Sequence, residues 1–229
     1  MICYAKLAVP IRIKAIQDET LQLLKKSDWM PHFNTYDYEG NWEVLPLRSP
    51  GGKADNPFAD LMTQQAFKDT RLLDALPEIR NLLNSLNCEK QSARLLNLKA
   101  DSSIKRHRDL ELSYEKGEAR LHFPIFTNQK VDFYINDELI KMQQGECWYI
   151  NANLPHNATN AGNTDRIHLV VDCIVNDWLK EIFERSEKKI KKIDKDNNQQ
   201  RLIIETLRLQ NTPTSLKLAR ELEKELNNE

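Results

Sequence analysis

The chain has 229 residues, a formal net charge of −1, 40% hydrophobic positions and 29% charged ones. That length suits one domain, or one domain with an appendage, and the hydrophobic share supplies one sizeable core, which excludes wholesale disorder. The balance of 33 Lys and Arg against 34 Asp and Glu excludes a globally basic nucleic-acid binder and a globally acidic tail protein, leaving only a local basic patch open.

In chain order, Ile13–Lys26 has helical spacing, with apolar Ile13, Ile16, Leu21, Leu23 and Leu24 followed by lysines that suit a helix C-terminus. Residues Trp29–Asn56 hold three Pro, three Gly and the aromatics Phe33, Tyr36, Tyr38 and Trp42, a composition of turns and short strands. Residues Asp69–Leu86 return to helical spacing through Leu72, Leu73, Leu76, Ile79, Leu82, Leu83 and Leu86. The middle reads as short strands: Ala93–Lys99, Ala119–Phe126, Val131–Ile135, Cys147–Ile150 and Arg166–Ile174, separated by turn signals. Close-spaced strands argue for a sandwich or barrel, and helices before strands make the whole α+β. From Glu184 the composition becomes charged, followed by helical patterns at Arg201–Leu209 and Ser215–Leu226, with Ser215 as the expected N-cap. The expected division is therefore 1–183 as the main domain and 184–229 as a helical appendage. The appendage reads as solvated; dimerisation of two copies through its helices, or partner docking, is the alternative.

No stretch is long and apolar enough to span a membrane: the longest, Ile167–Val175, is interrupted by His168 and Asp172. Lys6, Pro10 and Arg12 interrupt any secretory core in Met1–Ile13. Cys3, Cys88, Cys147 and Cys173 are scattered, with no C-x-x-C pair, so neither a zinc ribbon nor a disulfide framework is expected. A reducing, cytoplasmic location is the default. The expected partner is a small molecule, not nucleic acid or a membrane.

Four of the five histidines lie in the strand-rich region. In His107-Arg108-Asp109, residues two apart on extended backbone point to one side. Imidazole plus carboxylate is two-thirds of the triad that leaves positions open on non-haem Fe(II). Alone, such a triplet also arises by accident in charged loops. His156 falls 47 positions after Asp109 and offers a third ligand from a distant strand, or is a polar loop histidine beside Pro155. Arg166 opens an alternating strand that puts Arg166, His168, Val170 and Asp172 on one face. Arg120 and His122 share a face of another. In an ordinary sandwich these polar faces look outward. Together, however, they suit a co-substrate with two carboxylates, whose far end needs a planar, permanently charged fork.

The ordered set Ile104-Lys105-Arg106-His107-Arg108-Asp109, Arg120-Leu121-His122-Phe123-Pro124, Gly145-Glu146-Cys147-Trp148-Tyr149, His156 with Asn160, and Arg166–Asp172 resembles the aspartyl/asparaginyl β-hydroxylase-like family of Fe(II)/2-oxoglutarate oxygenases. Trp29–Asn34, Tyr38-x-Gly40-x-Trp42 and Leu47-Arg48-Ser49 also look like the N-terminal part of its bacterial members, the free-proline cis-hydroxylases. The resemblance covers roughly residues 25–180. It implies a double-stranded β-helix, or jelly-roll, core with supporting helices. It implies His107, Asp109 and His156 as iron ligands, Arg166 on the far carboxylate of 2-oxoglutarate, and Arg120 and His122 also on the co-substrate. The vertebrate members lack the carboxylate ligand; Asp109 makes this chain look more like the bacterial ones. Asn97 is a further candidate contact to the co-substrate.

The activity implied is hydroxylation of an unactivated C–H bond with Fe(II), 2-oxoglutarate and O2. A free amino acid or small amino-acid-like carboxylate is the first substrate class, with Arg48, His32 and Asn34 as candidate substrate-binding residues and Tyr36, Tyr38 and Trp42 beside them. The alternatives are a peptidyl Asp/Asn-type hydroxylase acting on a protein side chain, a non-oxygenase cupin-like metal-binding protein, and a scaffold with a degenerate site.

Overall fold

Nine residues from Arg166 to Ile174 alternate without interruption, and this strand is the centre of the larger of two sheets. The computed structural model describes residues 1–25, 29–56, 65–109, 112–191, 197–210 and 212–227. Strands and helices follow in the order β1 (Ile2–Leu7), α1 (Ile13–Leu24), β2 (Met30–Pro31), β3 (Tyr38–Glu39), β4 (Trp42–Pro50), β5 (Phe67–Asp69) and α2 (Pro77–Ser85). Then come β6 (Lys90–Leu98), β7 (Ser102–His107), β8 (Glu118–Phe126), β9 (Val131–Ile135), β10 (Glu138–Ile140), β11 (Cys147–Ile150), β12 (His156–Asn160) and β13 (Arg166–Ile174). The chain continues through α3 (Asp177–Glu184), β14 (Glu187–Ile190), α4 (Asn197–Gln210) and α5 (Pro213–Asn227).

Among the described residues, one antiparallel sheet runs β14-β1-β11-β8-β13-β6-β4-β2, with β5 added beside β4, and the other runs β10-β9-β12-β7-β3. Apart from the β9–β10, β4–β5 and β2–β4 pairs, neighbouring strands are distant in sequence, the jelly-roll signature. The two sheets enclose an inner core built from both: Val44, Leu96, Leu98 and Val170 from the large sheet meet Ile104, Phe133, Ile135 and Ala158 from the small one. The opposite face of the large sheet carries Leu95, Leu121, Phe123, Leu169 and Val171, packed against Ile16, Ile79, Leu83, Leu179 and Phe183 of the helices. Both faces of this sheet are therefore buried. The polar face of β13 and of β8 looks into the roll, not out to solvent, because helices occupy the outside.

Local chemistry explains where the elements stop. The helical spacing over Asp69–Leu86 breaks into a 3₁₀ turn at Arg71–Ala75 and α2, because Pro77 supplies no N–H and sets a new first turn. The start of α2 has no cap of its own; the Glu19 carboxylate on α1 accepts from the Glu78 and Ile79 amides at 2.9 and 2.7 Å. Asn176 caps α3 by accepting from the Leu179 amide at 3.1 Å. In the C-terminal unit the first helical residue of α5 is Pro213, so Thr212, not Ser215, takes the cap: its Oγ1 accepts from the Ser215 amide at 3.1 Å.

By packing, the chain forms two units, residues 2–190 and residues 191–229 with Met1. In the first, β14 pairs with β1. In the second, Arg208 on α4 pairs with Glu223 on α5 at 2.6 Å. Residue 26, at the end of the first expected helix, and 192–196, within the charged stretch, lie outside the described residues. Among the described residues no helix is long and apolar enough to cross a membrane.

Candidate active site

The pairing of β12 with β7 sets His156 directly opposite His107, with ring centroids 4.3 Å apart. Asp109 follows two residues after the end of β7, and its amide donates to the Ala152 carbonyl at 2.9 Å. One ligand atom from each of His107, Asp109 and His156 lies within 4.8 Å of the others. Asp109 Oδ1 is 3.8 Å from His107 Nε2.

Both rings are prepared for a metal in the same way. His107 Nδ1 lies 2.8 Å from the Lys105 carbonyl oxygen and His156 Nδ1 lies 2.9 Å from that of Leu154. A carbonyl only accepts, so Nδ1 carries a proton and Nε2 is the nitrogen left as the ligand atom. Burial, then the neighbouring His107, pushes His156 down to about 4, which keeps it neutral. Burial is the largest influence and would raise the Asp109 carboxyl; Arg120, with His156, His107 and Arg94, together outweigh it and hold it below the usual carboxylate range. Two imidazoles whose Nδ1 atoms are tied to carbonyls and one ionised carboxylate are the donor set that suits a divalent iron with open positions.

These groups form one wall of a cavity of about 350 Å³ that also touches His32, Trp42, Arg94, His122, Phe133 and Arg166. Arg166 is 2% exposed, and its Nε and Nη2 have no protein partner among the described residues. Its guanidinium lies 5.9 Å from the centroid of Phe133, and burial pushes it down to about 9. A buried cation without a counter-ion is costly, so this position calls for an anion inside the cavity. His122 is buried with an unpartnered Nδ1 and is held well below its ordinary value by burial, then by Arg166.

Arg120 behaves differently from Arg166. Its Nε and Nη2 donate to the two oxygens of Asp172 at 2.7 and 3.1 Å, and its Nη1 donates to Asp109 Oδ2. Burial lowers its proton affinity, but Asp172 and Asp109 outweigh burial and raise it. The expectation that Arg120 contacts a co-substrate is thus met by a side chain already engaged by two carboxylates; it orients Asp109. The arrangement comes from register, since Asp172 on β13 stands opposite Arg120 on β8.

The remaining expected residues divide. His32 lines the cavity, stacked on Trp42 at 3.5 Å between centroids, and Asn34 lines it too, donating to Asp37. Arg48 does not line it: its guanidinium donates to Asp69 at 2.7 Å and to the Lys90 and Phe67 carbonyls at 2.9 and 2.8 Å, clamping the β4–β5 pair. This corrects the sequence expectation; hairpin pairing took the arginine away from the site. Asn97 also points elsewhere, donating to Asp165 at 3.2 Å. Arg94, Asp172 and Asp37 were not anticipated as site groups. The signal for Arg94 was available in β6, where Ser92, Arg94 and Leu96 alternate against Ala93 and Leu95 as the residues of β13 do.

Comparison with known proteins places this geometry among relatives. The chain is 28% identical over 135 residues to the L-proline cis-4-hydroxylase of Rhizobium meliloti (strain 1021), covering 58% of this chain and 48% of that protein. It is 30% identical over 138 residues to the L-proline cis-3-hydroxylase 1 of a Streptomyces species, covering 58% of this chain and 47% of that one. The chain thus spans about half the length of the curated relatives it matches. Among solved structures it shares its fold with the non-heme alpha ketoglutarate dependent carbocyclase SnoK from nogalamycin biosynthesis, at a TM-score of 0.51 and 11% identity, covering 76% of this chain and 80% of that one. The sequence model of the aspartyl/asparaginyl beta-hydroxylase family matches residues 12–175, well over half of the chain, and the protein belongs to that family.

Proposed function

We propose that the protein is an Fe(II)- and 2-oxoglutarate-dependent dioxygenase that hydroxylates an unactivated C–H bond of a free amino acid or small amino-acid-like carboxylate. The observation that carries this reading is the convergence of His107, Asp109 and His156 on one wall of the cavity that also holds the uncompensated Arg166. Iron bound there with 2-oxoglutarate and O2 supplies the oxidant. The chain's own residues do the rest. His107, Asp109 and His156 hold the metal on one side; Arg120 keeps Asp109 ionised and aimed; Arg166 pairs with the far carboxylate of the co-substrate, with His122 beside it. The inner core around Phe133 and Val170 keeps bulk water away from that end.

The proline cis-hydroxylases to which the chain is similar support the free amino acid as substrate class. In this reading residues 1–183 form the oxygenase domain, which works on a small molecule in the cytoplasm, and 184–229 are a charged helical appendage to it.

The test is succinate formation from 2-oxoglutarate under air with Fe(II), over a panel of free amino acids that includes L-proline. Asp109→Ala is expected to weaken iron binding and to abolish turnover. Full succinate production by that variant would refute the ligand assignment.

A further inference from the structure

Resting on the oxygenase reading above, we propose that a second cavity, which reaches Arg166 from the end of the roll opposite the metal ligands, is the port by which 2-oxoglutarate enters and succinate leaves, separate from the mouth that admits the amino acid. Nothing in the family match or in the relatives' names assigns a role to this cavity.

The cavity holds about 330 Å³, and its wall combines Val131, Phe133, Ile140 and Met142 with Arg166 and His168. Its rim is formed by 127–129 after β8 and 141–144 after β10, where Gln129, Lys141, Gln143 and Gln144 are exposed. Strand register puts it at the far end. The β8–β13 pair sets Arg120 against Asp172 beside Asp109, and then runs away to Phe126 and Arg166 at its other end. Among the described residues that line the metal cavity, Phe133 and Arg166 alone also line this one. One layer of side chains therefore separates the two, with the guanidinium 5.9 Å from the ring centroid. At rest that layer keeps bulk water from the far end of the co-substrate. It is not clamped: Arg166 Nε and Nη2 have no protein partner among the described residues, whereas the Arg48 guanidinium has three.

Charge separates the two entrances. The metal cavity opens where Phe33 is exposed and Asn34, Asp37, Asp109 and Asn157 are half-buried, so two carboxylates stand at that mouth. Among the described residues no acid lines the second cavity. Its rim cation, Lys141, is held by Asp132 and by the Gln129 and Val131 carbonyls at 3.2 and 3.0 Å, which leaves Arg166 as the unmatched charge at the floor. Low-dielectric walls focus the field of such a charge and draw in an anion. His168, 1% exposed with its Nδ1 unpartnered among the described residues, adds a neutral hydrogen-bonding group beside it. The rim is pinned: Gln144 donates to the Thr127 carbonyl at 3.1 Å and accepts from Gln17 of α1 at 2.7 Å, and Asn128 donates to Asn160 at 3.1 Å. The metal side gives the port its use. An amino acid seated between the mouth and the metal covers a dicarboxylate that stretches from the metal to Arg166. With one entrance the dicarboxylates would wait for the amino acid to leave; with two they exchange beneath it.

The experiment uses the full chain loaded with Fe(II) in the absence of oxygen. Binding and release of 2-oxoglutarate are followed by stopped-flow through the visible absorbance of the complex, and Kd is measured by calorimetry. Met142 is 6% exposed and lines the second cavity but not the first, so Met142→Trp obstructs the passage. An obstacle on a path raises the barrier equally in both directions and leaves the end states alone. Association and dissociation of 2-oxoglutarate should both slow by at least ~10-fold, with Kd within about twofold of wild type. Phe33→Trp, at the other mouth, should change neither rate. Glutamates on the exposed rim, Gln129→Glu with Gln143→Glu, should slow association roughly threefold or more at low salt and lose that effect at high salt. Wild-type rates in Met142→Trp, a Kd raised through release alone, or slowing by Phe33→Trp instead, overturn the proposal. If Met142→Trp does not fold, the Gln129→Glu, Gln143→Glu protein decides, and association at the wild-type rate in low salt overturns the proposal. Failure of wild type to bind 2-oxoglutarate at all would instead remove the oxygenase reading, and the port with it.

Discussion

Asp172 is the acid on which the arginines of the site depend, and its removal gives the sharpest test of the electrostatics. It is fully buried and accepts from Arg120 and Ser92, with Arg94 at 3.5 Å. Burial is the largest influence and would raise its carboxyl, but Arg120, with Arg94 and Ser92, together outweigh burial and hold it at about 2. Asp172→Ala leaves two buried guanidinium groups with one acid, Asp109, between them. Breaking a buried pair in this way costs about 3–5 kcal/mol. For a domain of this size, with about 2–4 °C per kcal/mol, the melting temperature should fall by roughly 6–20 °C. The pH dependence carries a second signature. A carboxyl depressed in the folded state stabilises the fold above its unfolded pKa and loses that contribution as pH falls through the folded one. The stability gap between wild type and Asp172→Asn should therefore be full above about pH 4 and close as pH falls towards 2. Urea unfolding of both proteins across that range, with thermal melting of Asp172→Ala, measures both effects. A change under ~2 °C in Asp172→Ala, or a gap that does not narrow in acid, would refute the account of Asp172 as the counter-ion of this site.

Two other outcomes follow from the buried cationic and imidazole groups. His32, His122, His156 and His168 are all held neutral, in each case first by burial. The unfolded chain takes up protons at these positions from about pH 6.5 downward and the folded one does not, so stability should fall with pH by up to about 5 kcal/mol per unit near pH 5; a flat urea midpoint between pH 7 and 5 would contradict this. Arg166→Met should raise the melting temperature of the ligand-free protein, because an unmatched buried cation is removed, and should abolish the stabilisation by 2-oxoglutarate in the presence of metal, which in wild type reaches about 2.7 kcal/mol at a hundred times Kd; a variant that melts lower and still responds to 2-oxoglutarate would place the far carboxylate elsewhere.

Much of the site could be read in advance from local pattern. The H-x-D triplet, the alternation in Arg166–Ile174 and the Arg120/His122 pair each identify a strand face and its donors, because the side-chain period of a strand is two whatever surrounds it. Other features resisted that reading for physical reasons. The strand β12 is His156-Asn157-Ala158-Thr159-Asn160, too polar to look like a strand, yet it pairs on both edges, with β7 and β9, while His156 and Asn157 line the cavity and Asn160 donates to the Leu98, Lys99 and Thr164 carbonyls. Arg48 resembles a substrate contact in sequence, but pairing of β4 with β5 commits it to Asp69. The helical spacing of Asp69–Leu86 is real as an apolar face, and Pro77 nevertheless divides it.

The sequence by itself determined which side of their strands Arg120, His122, Arg166 and His168 occupy, since covalent geometry enforces alternation along any extended segment. Only the tertiary structure decided that the polar faces turn inward, that His156 stands across from His107, and that Arg120 is neutralised by carboxylates while Arg166 is not. Those outcomes depend on cross-strand register between segments about 50 residues apart, and period-two patterning fixes a face without naming the neighbour that will share it.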